Sequence, residues 1–323
     1  MNSLLLMLMD GQFHSGQALG LRLGISRSAV WKKIKSLEAE YGLSIQRISG
    51  RGYRLSEPLS LLDPIPLTQT ANELGWNFVL HERLNSTNTY CMQLIQQADY
   101  VRPQVVMAEW QTAGRGRRGR QWVSPVIAQN LLFSLGLRLQ ADTRCLTGLS
   151  LVVGLAVLAT LRYFGLTQAG LKWPNDVYTN NRKISGILLE LTGNPTDICH
   201  LVIGIGINLN MMPHTQSSIE QPWTSLRYET GQRIDRTALA ICLMQNLHHY
   251  LAQQAQMGFQ GLRHEWEQHH LWQGQRCILS TPNQEISGVA LGVNDEGSLR
   301  LLVNGQEQSF CAGELSLRLD HDS

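Results

Sequence analysis

The chain has little of what would make it a metalloprotein, a disulfide scaffold or a membrane protein. Its six cysteines (Cys91, Cys145, Cys199, Cys242, Cys277 and Cys311) form no C-x-x-C pair and stand far apart, so neither a zinc site nor a disulfide framework is indicated. Reduced, mostly buried thiols in a cytoplasmic protein fit that usage. The histidines contain no H-E-x-x-H pattern; His248, His249, His264, His269 and His270 are expected on solvated helix faces. The most apolar stretch, 146–161, contains Thr147, Ser150 and Gly154 and falls short of the ~20 residues of a membrane span. It reads as a buried core helix. The apolar run 4–9 is short and lacks a basic flank, so it is no signal peptide. Internal repeats and low-complexity tracts are absent. Net charge is also scarce, at +2, but it is unevenly spread. Residues 1–57 carry eight Lys/Arg against four Asp/Glu, which points to a local nucleic-acid contact. An apolar content of 43% says globular, and 323 residues suffice for two or three domains.

What the chain does have is Gly114-Arg115-Gly116-Arg117-Arg118-Gly119-Arg120. Glycine lets backbone N–H groups approach an anion closely, and arginine offers planar paired donors for phosphate or carboxylate. The segment also spells G-x-G-x-x-G, but a dinucleotide fold needs a helix after it. Here Asn130 to Leu135 reads as another strand. An RNA-binding RG segment and a plain solvated loop are further readings. A structured small-anion loop fits best, because a single copy lies between two apolar strands.

Prolines 58, 64 and 66 mark a first boundary, and Trp272-Gln273-Gly274 a second. Before the first, 1–9 can form a helix. Ser15 caps a short helix ended by Gly24, and Ser26 caps a longer one, 27–41, ended by Gly42. Val30, Ile34, Leu37 and Tyr41 share one face of it. Strands at 44–48 and 53–55 enclose the basic tip Ser49-Gly50-Arg51-Gly52. Helix-turn-helix plus a basic wing is a winged DNA-binding arrangement, with Ser26, Arg27, Trp31, Lys32, Lys35 and Arg51 as its DNA-facing candidates. A helical oligomerisation domain with a solvated basic face is the alternative. The middle segment, 66–270, reads as helices at 67–74, 87–99, 146–164 and 237–256. Its strands are expected at 78–82, 104–110, 130–138, 184–191 and 199–205, giving an α+β domain with a mixed, largely antiparallel sheet. The last segment, 274–319, is all strand, with turns at Asn283-Gln284, Asp295-Glu296-Gly297 and Asn304-Gly305. It reads as a small barrel packed on the middle domain.

Further motifs follow in order: Ser86-Thr87-Asn88, Gln111, Lys172-Trp173-Pro174-Asn175-Asp176, Arg182 to Glu190, and Gly204-Ile205-Gly206-Ile207-Asn208. With the arginine loop among them, the chain resembles, end to end, the bifunctional bacterial biotin–protein ligases that double as the biotin operon repressor. The resemblance implies three domains: a winged helix-turn-helix (1–57), a mixed-sheet α/β ligase domain (66–270) and an SH3-like β-barrel (274–319). It implies biotin and ATP as substrates with Mg²⁺, biotin carboxyl carrier protein and operator DNA as partners, a ligand-promoted homodimer, and no membrane.

By resemblance, Ser86, Thr87, Asn88, Gln111, Arg115, Gly116 and Arg117 contact biotin, and Lys183 reaches its activated carboxylate. Lys183, Arg117 and Arg120 are then the catalytic cations, Asp176 the Mg²⁺ candidate, Asn208 the adenine reader and Trp223 its stacking partner. Each position has a plainer reading. Ser86 can be only a helix cap, Asp176 only a Lys–Asp pair, Lys183 an edge gatekeeper and Trp223 a core tryptophan. Two departures from the family pattern stand out: Thr112 where glutamine is expected, and Ala312-Gly313-Glu314 in place of a two-glycine start. A ligase without repressor activity, an adenylate sensor without transfer activity and a lipoyl ligase remain the alternatives.

Overall fold

The computed structural model describes residues 2–97, 100–140, 146–193, 198–212, 219–281, 284–313 and 315–320. Cys145 and Asn283 lie outside them. The chain opens with α1 (Ser3–Leu8), α2 (Gly16–Leu23) and α3 (Arg27–Tyr41), followed by the hairpin β1 (Ile45–Ile48) and β2 (Gly52–Leu55). The caps are the expected ones. Ser15 and Ser26 accept from the N–H groups of Ala18 and Ala29, and Gly24 and Gly42 end the helices in left-handed backbone. Val30, Ile34, Leu37 and Tyr41 turn inward onto Leu4, Leu5, Leu8 and Leu19. This small core is completed from outside the unit by Ile127 and Ala128. A Cβ on Gly42 would stand 2.2 Å from the Pro125 carbonyl oxygen, so the close fit there depends on glycine.

The middle unit holds α4 (Pro64–Glu73), β3 (Asn77–Leu84), α5 (Thr87–Ile95), β4 (Gln104–Gln111), β5 (Gly114–Arg115), β6 (Gln121–Trp122) and β7 (Asn130–Gln140). It continues with α6 (Leu149–Tyr163), β8 (Gly170–Lys172), β9 (Asp176–Thr179), β10 (Arg182–Gly193), β11 (Ile198–Asn208), α7 (Leu226–Thr230) and α8 (Arg236–Gln268). Seven strands form one sheet in the order β3-β4-β7-β11-β10-β9-β8. Only β3 and β4 run parallel. The apolar stretch after Gly148 is the buried helix α6, packed on the sheet and on α8. Among the described residues no helix is long and apolar enough to cross a membrane.

The chain ends in an antiparallel sheet of β12 (Arg276–Ser280), β13 (Glu285–Val293), β14 (Leu299–Val303), β15 (Gln306–Phe310) and β16 (Ser316–Leu319), in the order β15-β14-β13-β12-β16. Its inward residues Cys277, Leu279, Ala290, Val293, Leu299, Leu301 and Leu317 join the same hydrophobic core as α6 and the seven-stranded sheet. The linker after the winged helix is fixed by a buried ion pair. Arg236 and Glu109 have side chains 0% and 3% exposed. Glu109 accepts from the Leu62 N–H at 2.7 Å, and Arg236 donates to the carbonyls of Ser60 and Asn130.

Three features depart from the sequence reading. Strands β8 and β9 and helix α7 are too short to carry a period. Helix α8 runs to Gln268, with a break at Gly258, because Phe259, Leu262 and Trp266 continue its buried face. His270 is buried, not solvated: its ring stacks on Trp266 at 4.8 Å between centroids.

Burial pushes the His270 imidazole down to about 4 from 6.5. Between those values the unfolded chain binds the extra proton, so stability falls as pH falls through this window. His270→Gln is expected to flatten that pH dependence by about 2–3 kcal/mol, read from urea denaturation at pH 7 and pH 4.5. Parallel losses in both proteins would show that His270 is not the group responsible.

Candidate active site

The seven glycine and arginine residues form a hairpin. Gly114 pairs with Trp122 and Arg115 with Gln121, and the Gly116 N–H donates to the Arg120 carbonyl at 2.8 Å. No helix follows, which removes the dinucleotide reading. A single 3₁₀ turn forms the tip, where Arg118 adopts left-handed backbone at φ 58°. The hairpin closes over a cavity of about 620 Å³.

Its seat is bare strand. Gly186 and Gly206 face each other across β10 and β11, and the Trp122 ring lies on both. A Cβ would stand 2.4 Å from that ring at Gly206 and 3.2 Å at Gly186. Gly204 leaves room in the same way for the Asn88 amide, 2.2 Å from such a Cβ. The indole N–H of Trp122 is buried with no hydrogen-bond partner among the described residues.

One wall is neutral and polar. Ser86 caps α5, which brings Thr87 and Asn88 to the helix start. The Gln111 Oε1 accepts from the Thr87 N–H at 2.7 Å and from its hydroxyl at 3.0 Å. The Ser134 hydroxyl lies 2.8 Å from Thr87 Oγ1 and 2.6 Å from Asn88 Oδ1. Such a wall offers donors and acceptors but no net charge.

Another part of the lining is cationic. Lys183 Nζ pairs with Asp176 Oδ1 at 2.7 Å, both side chains about five-sixths buried. Lys172 Nζ stands over the rings of Tyr178 and Trp272 and donates to the Tyr178 hydroxyl at 3.2 Å. Burial holds its pKa below the usual lysine value, helped by Lys183 and Arg120 and opposed by Asp176. Arg117 donates to Asn175 Oδ1 at 2.8 Å and to the carbonyls of Ala312 and Gly313 at 2.7 and 2.6 Å. Burial also lowers its pKa, and the contacts join the hairpin to the last sheet. Arg115 pairs with Glu190 at 2.7 Å. Among the described residues no carboxylate pairs with Arg118 or Arg120, and both line the cavity.

The structure thus gathers Ser86, Thr87, Asn88, Gln111, Arg115, Gly116, Arg117, Arg120, Asp176 and Lys183 around one cavity. It does not bring Asn208 or Trp223 onto that wall. The Asn208 amide is 4% exposed and donates to the Thr224 carbonyl at 3.0 Å; Trp223 is 9% exposed. The segment around Trp223 instead pairs with Lys183, whose N–H donates to the Pro222 carbonyl and whose carbonyl accepts from Thr224. Asp176 has the lysine partner of its plainer reading, although the partner is Lys183. Sequence reasoning did not single out Trp122, Lys172, Asn175 or Glu190. The signal for Trp122 was its place beside the loop, and the other three lay inside quoted motifs.

In the winged helix, Arg27, Trp31, Lys32 and Lys35 lie on the exposed side of α3, opposite the buried residues. The Lys35 ammonium stands 4.1 Å above the Trp31 ring. Ser26 caps the helix, and Arg51 and Arg54 flank Phe13 at the wing.

Comparison with known proteins gives three family matches along the chain. Residues 1–54 match the HTH domain, 80–208 the biotin/lipoate A/B protein ligase family and 273–318 the biotin protein ligase C terminal domain. The bifunctional ligase/repressor BirA of Escherichia coli (strain K12) is 37% identical over 98% of this chain and 96% of its own. The BirA of Bacillus subtilis (strain 168) is 31% identical over 95% and 94%. Among solved structures, the biotin protein ligase from Aquifex aeolicus in complex with biotin and ATP superimposes with a TM-score of 0.65. It is 28% identical and covers 76% of this chain and 99% of its own.

Gly206→Ala is expected to lift Trp122 and loosen the hairpin, since overpacking of this kind costs about 1–3 kcal/mol. Trypsin should then cut within 115–120 at least about fivefold faster, with fragments identified by mass spectrometry. An unchanged cleavage rate would show that Trp122 is not what seats the hairpin.

Proposed function

The chain belongs to the family of bifunctional biotin ligase/repressors, and on that premise we propose how its residues divide the work. The protein is an ATP-dependent biotin–protein ligase and a DNA-binding repressor. It joins biotin to ATP as biotinyl-5′-AMP with release of pyrophosphate, and then transfers biotin to a lysine of the biotin carboxyl carrier protein. The observation that carries this reading is a single cavity lined both by neutral polar side chains and by cationic ones.

Biotin is an apolar bicycle with a ureido group and an ionised carboxylate. Its ureido N–H and C=O groups are met by Ser86, Thr87, Asn88 and Gln111, with Arg115 and Gly116 closing from the hairpin. Its carboxylate lies toward Lys183. That carboxylate is ionised near neutral pH, so it attacks the α-phosphorus of ATP without a general base. Lys183, Arg117 and Arg120 orient the reactants and balance the charge that develops on the phosphate. Asn208 and Trp223 act from behind the wall, by keeping the 222–224 segment against Lys183.

Among the described residues no group of three or more His, Cys, Asp or Glu could cage a metal. A lone carboxylate still fits Mg²⁺, which is commonly held by one or two carboxylates together with substrate phosphates; Asp176 is that carboxylate. The ion supplies charge neutralisation at the phosphates. In the second step the acceptor amine gives up a proton and attacks the mixed anhydride, expelling AMP. Until then the hairpin excludes water from the adenylate.

The three working units are 1–57, 66–270 and 274–319. Ser26, Arg27, Trp31, Lys32, Lys35 and Arg51 face the operator. One winged helix has a small footprint, so specific binding uses a homodimer on two half-sites, and adenylate occupancy tightens that dimer. The direct test is incubation with biotin, ATP, Mg²⁺ and a carrier domain, followed by mass spectrometry. One added biotinyl group is expected; an unmodified carrier refutes the ligase reading.

Lys183→Ala is expected to slow adenylate formation by about 10²–10³, the usual cost of losing a charge at a developing anion, measured by pyrophosphate release. A rate within a few-fold of the parent would exclude Lys183 from that role. Lys32→Ala or Arg51→Ala should each lower the slope of log affinity for operator DNA against log salt by about one phosphate contact, leaving biotin transfer intact. Unchanged salt dependence in both variants would favour the helical oligomerisation reading.

A further inference from the structure

Glu190 stands on β10 beside the ureido-binding wall and outside every role assigned above. We propose that it is a positioning residue linking that wall to the arginine hairpin, so that biotin affinity depends on the Glu190–Arg115 ion pair. The inference rests on the reading of the cavity as a biotin site.

The contacts form one chain. Arg115 Nη2 lies 2.7 Å from Glu190 Oε1, and the Asn88 amide donates to Glu190 Oε2 at 2.8 Å. Asn88 cannot turn to suit another partner. Its Oδ1 is held 2.6 Å from the Ser134 hydroxyl, and its amide presses on the bare strand at Gly204. Its Nδ2 therefore has to face residue 190. One carboxylate oxygen accepts the Asn88 amide from the wall, and the other is ion-paired with Arg115 of the hairpin. The ion pair is half in solvent, with the Glu190 side chain 20% and the Arg115 side chain 53% exposed, so its energy as a surface bridge is small. Its effect is geometric: it fixes the hairpin strand that begins at Gly114 against the wall residue that meets biotin.

Glutamine at 190 keeps the shape but supplies one acceptor and one N–H. One of the two donors then opposes another donor. If Asn88 keeps its partner, Arg115 is released. If Arg115 keeps it, the Asn88 amide has to turn and lose Ser134. Either way, only the biotin side of the cavity is touched. Arg117, Lys172 and Lys183 make none of these contacts.

The test is steady-state biotin transfer to a carrier domain by the full chain, its Glu190→Gln and Arg115→Gln variants, and the double variant. Loss of the charged link predicts a roughly tenfold rise in the biotin KM for Glu190→Gln, and at least as large a rise for Arg115→Gln, which also closes on biotin. In Glu190→Gln the kcat and the ATP KM should stay within about twofold, and the double variant should be no worse than Arg115→Gln alone, because the link is already lost there. A parental biotin KM in Glu190→Gln overturns the proposal. So do effects of the two substitutions that multiply, or a parallel rise in the ATP KM that marks Glu190 as general scaffold. Failure of the parent to transfer biotin refutes the underlying ligase reading instead, so the two failures are distinct.

Discussion

The site depends on a patch of β-sheet without side chains. Gly186, Gly204 and Gly206 clear neighbouring positions on β10 and β11, and two groups occupy the space. The Asn88 amide comes down on Gly204, and the Trp122 ring lies across the other two. A methyl group at Gly204 or Gly206 would overlap them, because the distances are well inside van der Waals contact. The neutral wall follows from the first contact and the seating of the arginine hairpin from the second. An apolar strand pair in the middle of a sheet would ordinarily present a row of branched side chains; here it seats the Asn88 amide and the Trp122 ring.

The hairpin is tied down on three other sides. Arg117 reaches Asn175 and the turn at Ala312 and Gly313, so the last sheet takes part in forming the cavity. Arg115 reaches Glu190. Beyond Trp122 the chain passes directly into the winged helix, where Ile127 and Ala128 are part of the hydrophobic core. Tyr41, at the end of α3, packs on Trp110 and donates to Glu82. The three units therefore meet around one short stretch of chain, 114–128. The arginine hairpin and the core of the winged helix are only a few residues apart.

Much of this was legible in the sequence for identifiable reasons. Serine before and glycine after a periodic run mark helix ends by hydrogen bonding and by left-handed backbone, so α2 and α3 could be placed from Ser15, Gly24, Ser26 and Gly42. The arginine loop was legible as a structured loop because a single copy lies between two apolar strands. What could not be read depends on contacts between distant segments. Trp122 is one of eight tryptophans, and only the opposing glycines single it out. The position of Glu190 opposite Arg115 is a matter of strand register and hairpin closure. His270 was misread because it lies just past the end of α8, where its ring folds back on Trp266 and its backbone meets Leu171. Asn208 and Trp223 were placed by resemblance, and their side chains lie behind the wall.

The central claim is that one cavity holds biotin and nucleotide together and keeps the adenylate they form. The most direct measurement is to incubate the protein with biotin, ATP and Mg²⁺ without any carrier, remove free ligand by rapid gel filtration, denature, and quantify biotinyl-5′-AMP by mass spectrometry. The account predicts close to one adenylate per protein chain in the protein fraction. Adenylate recovered only among the free small molecules, or not formed at all, would contradict it.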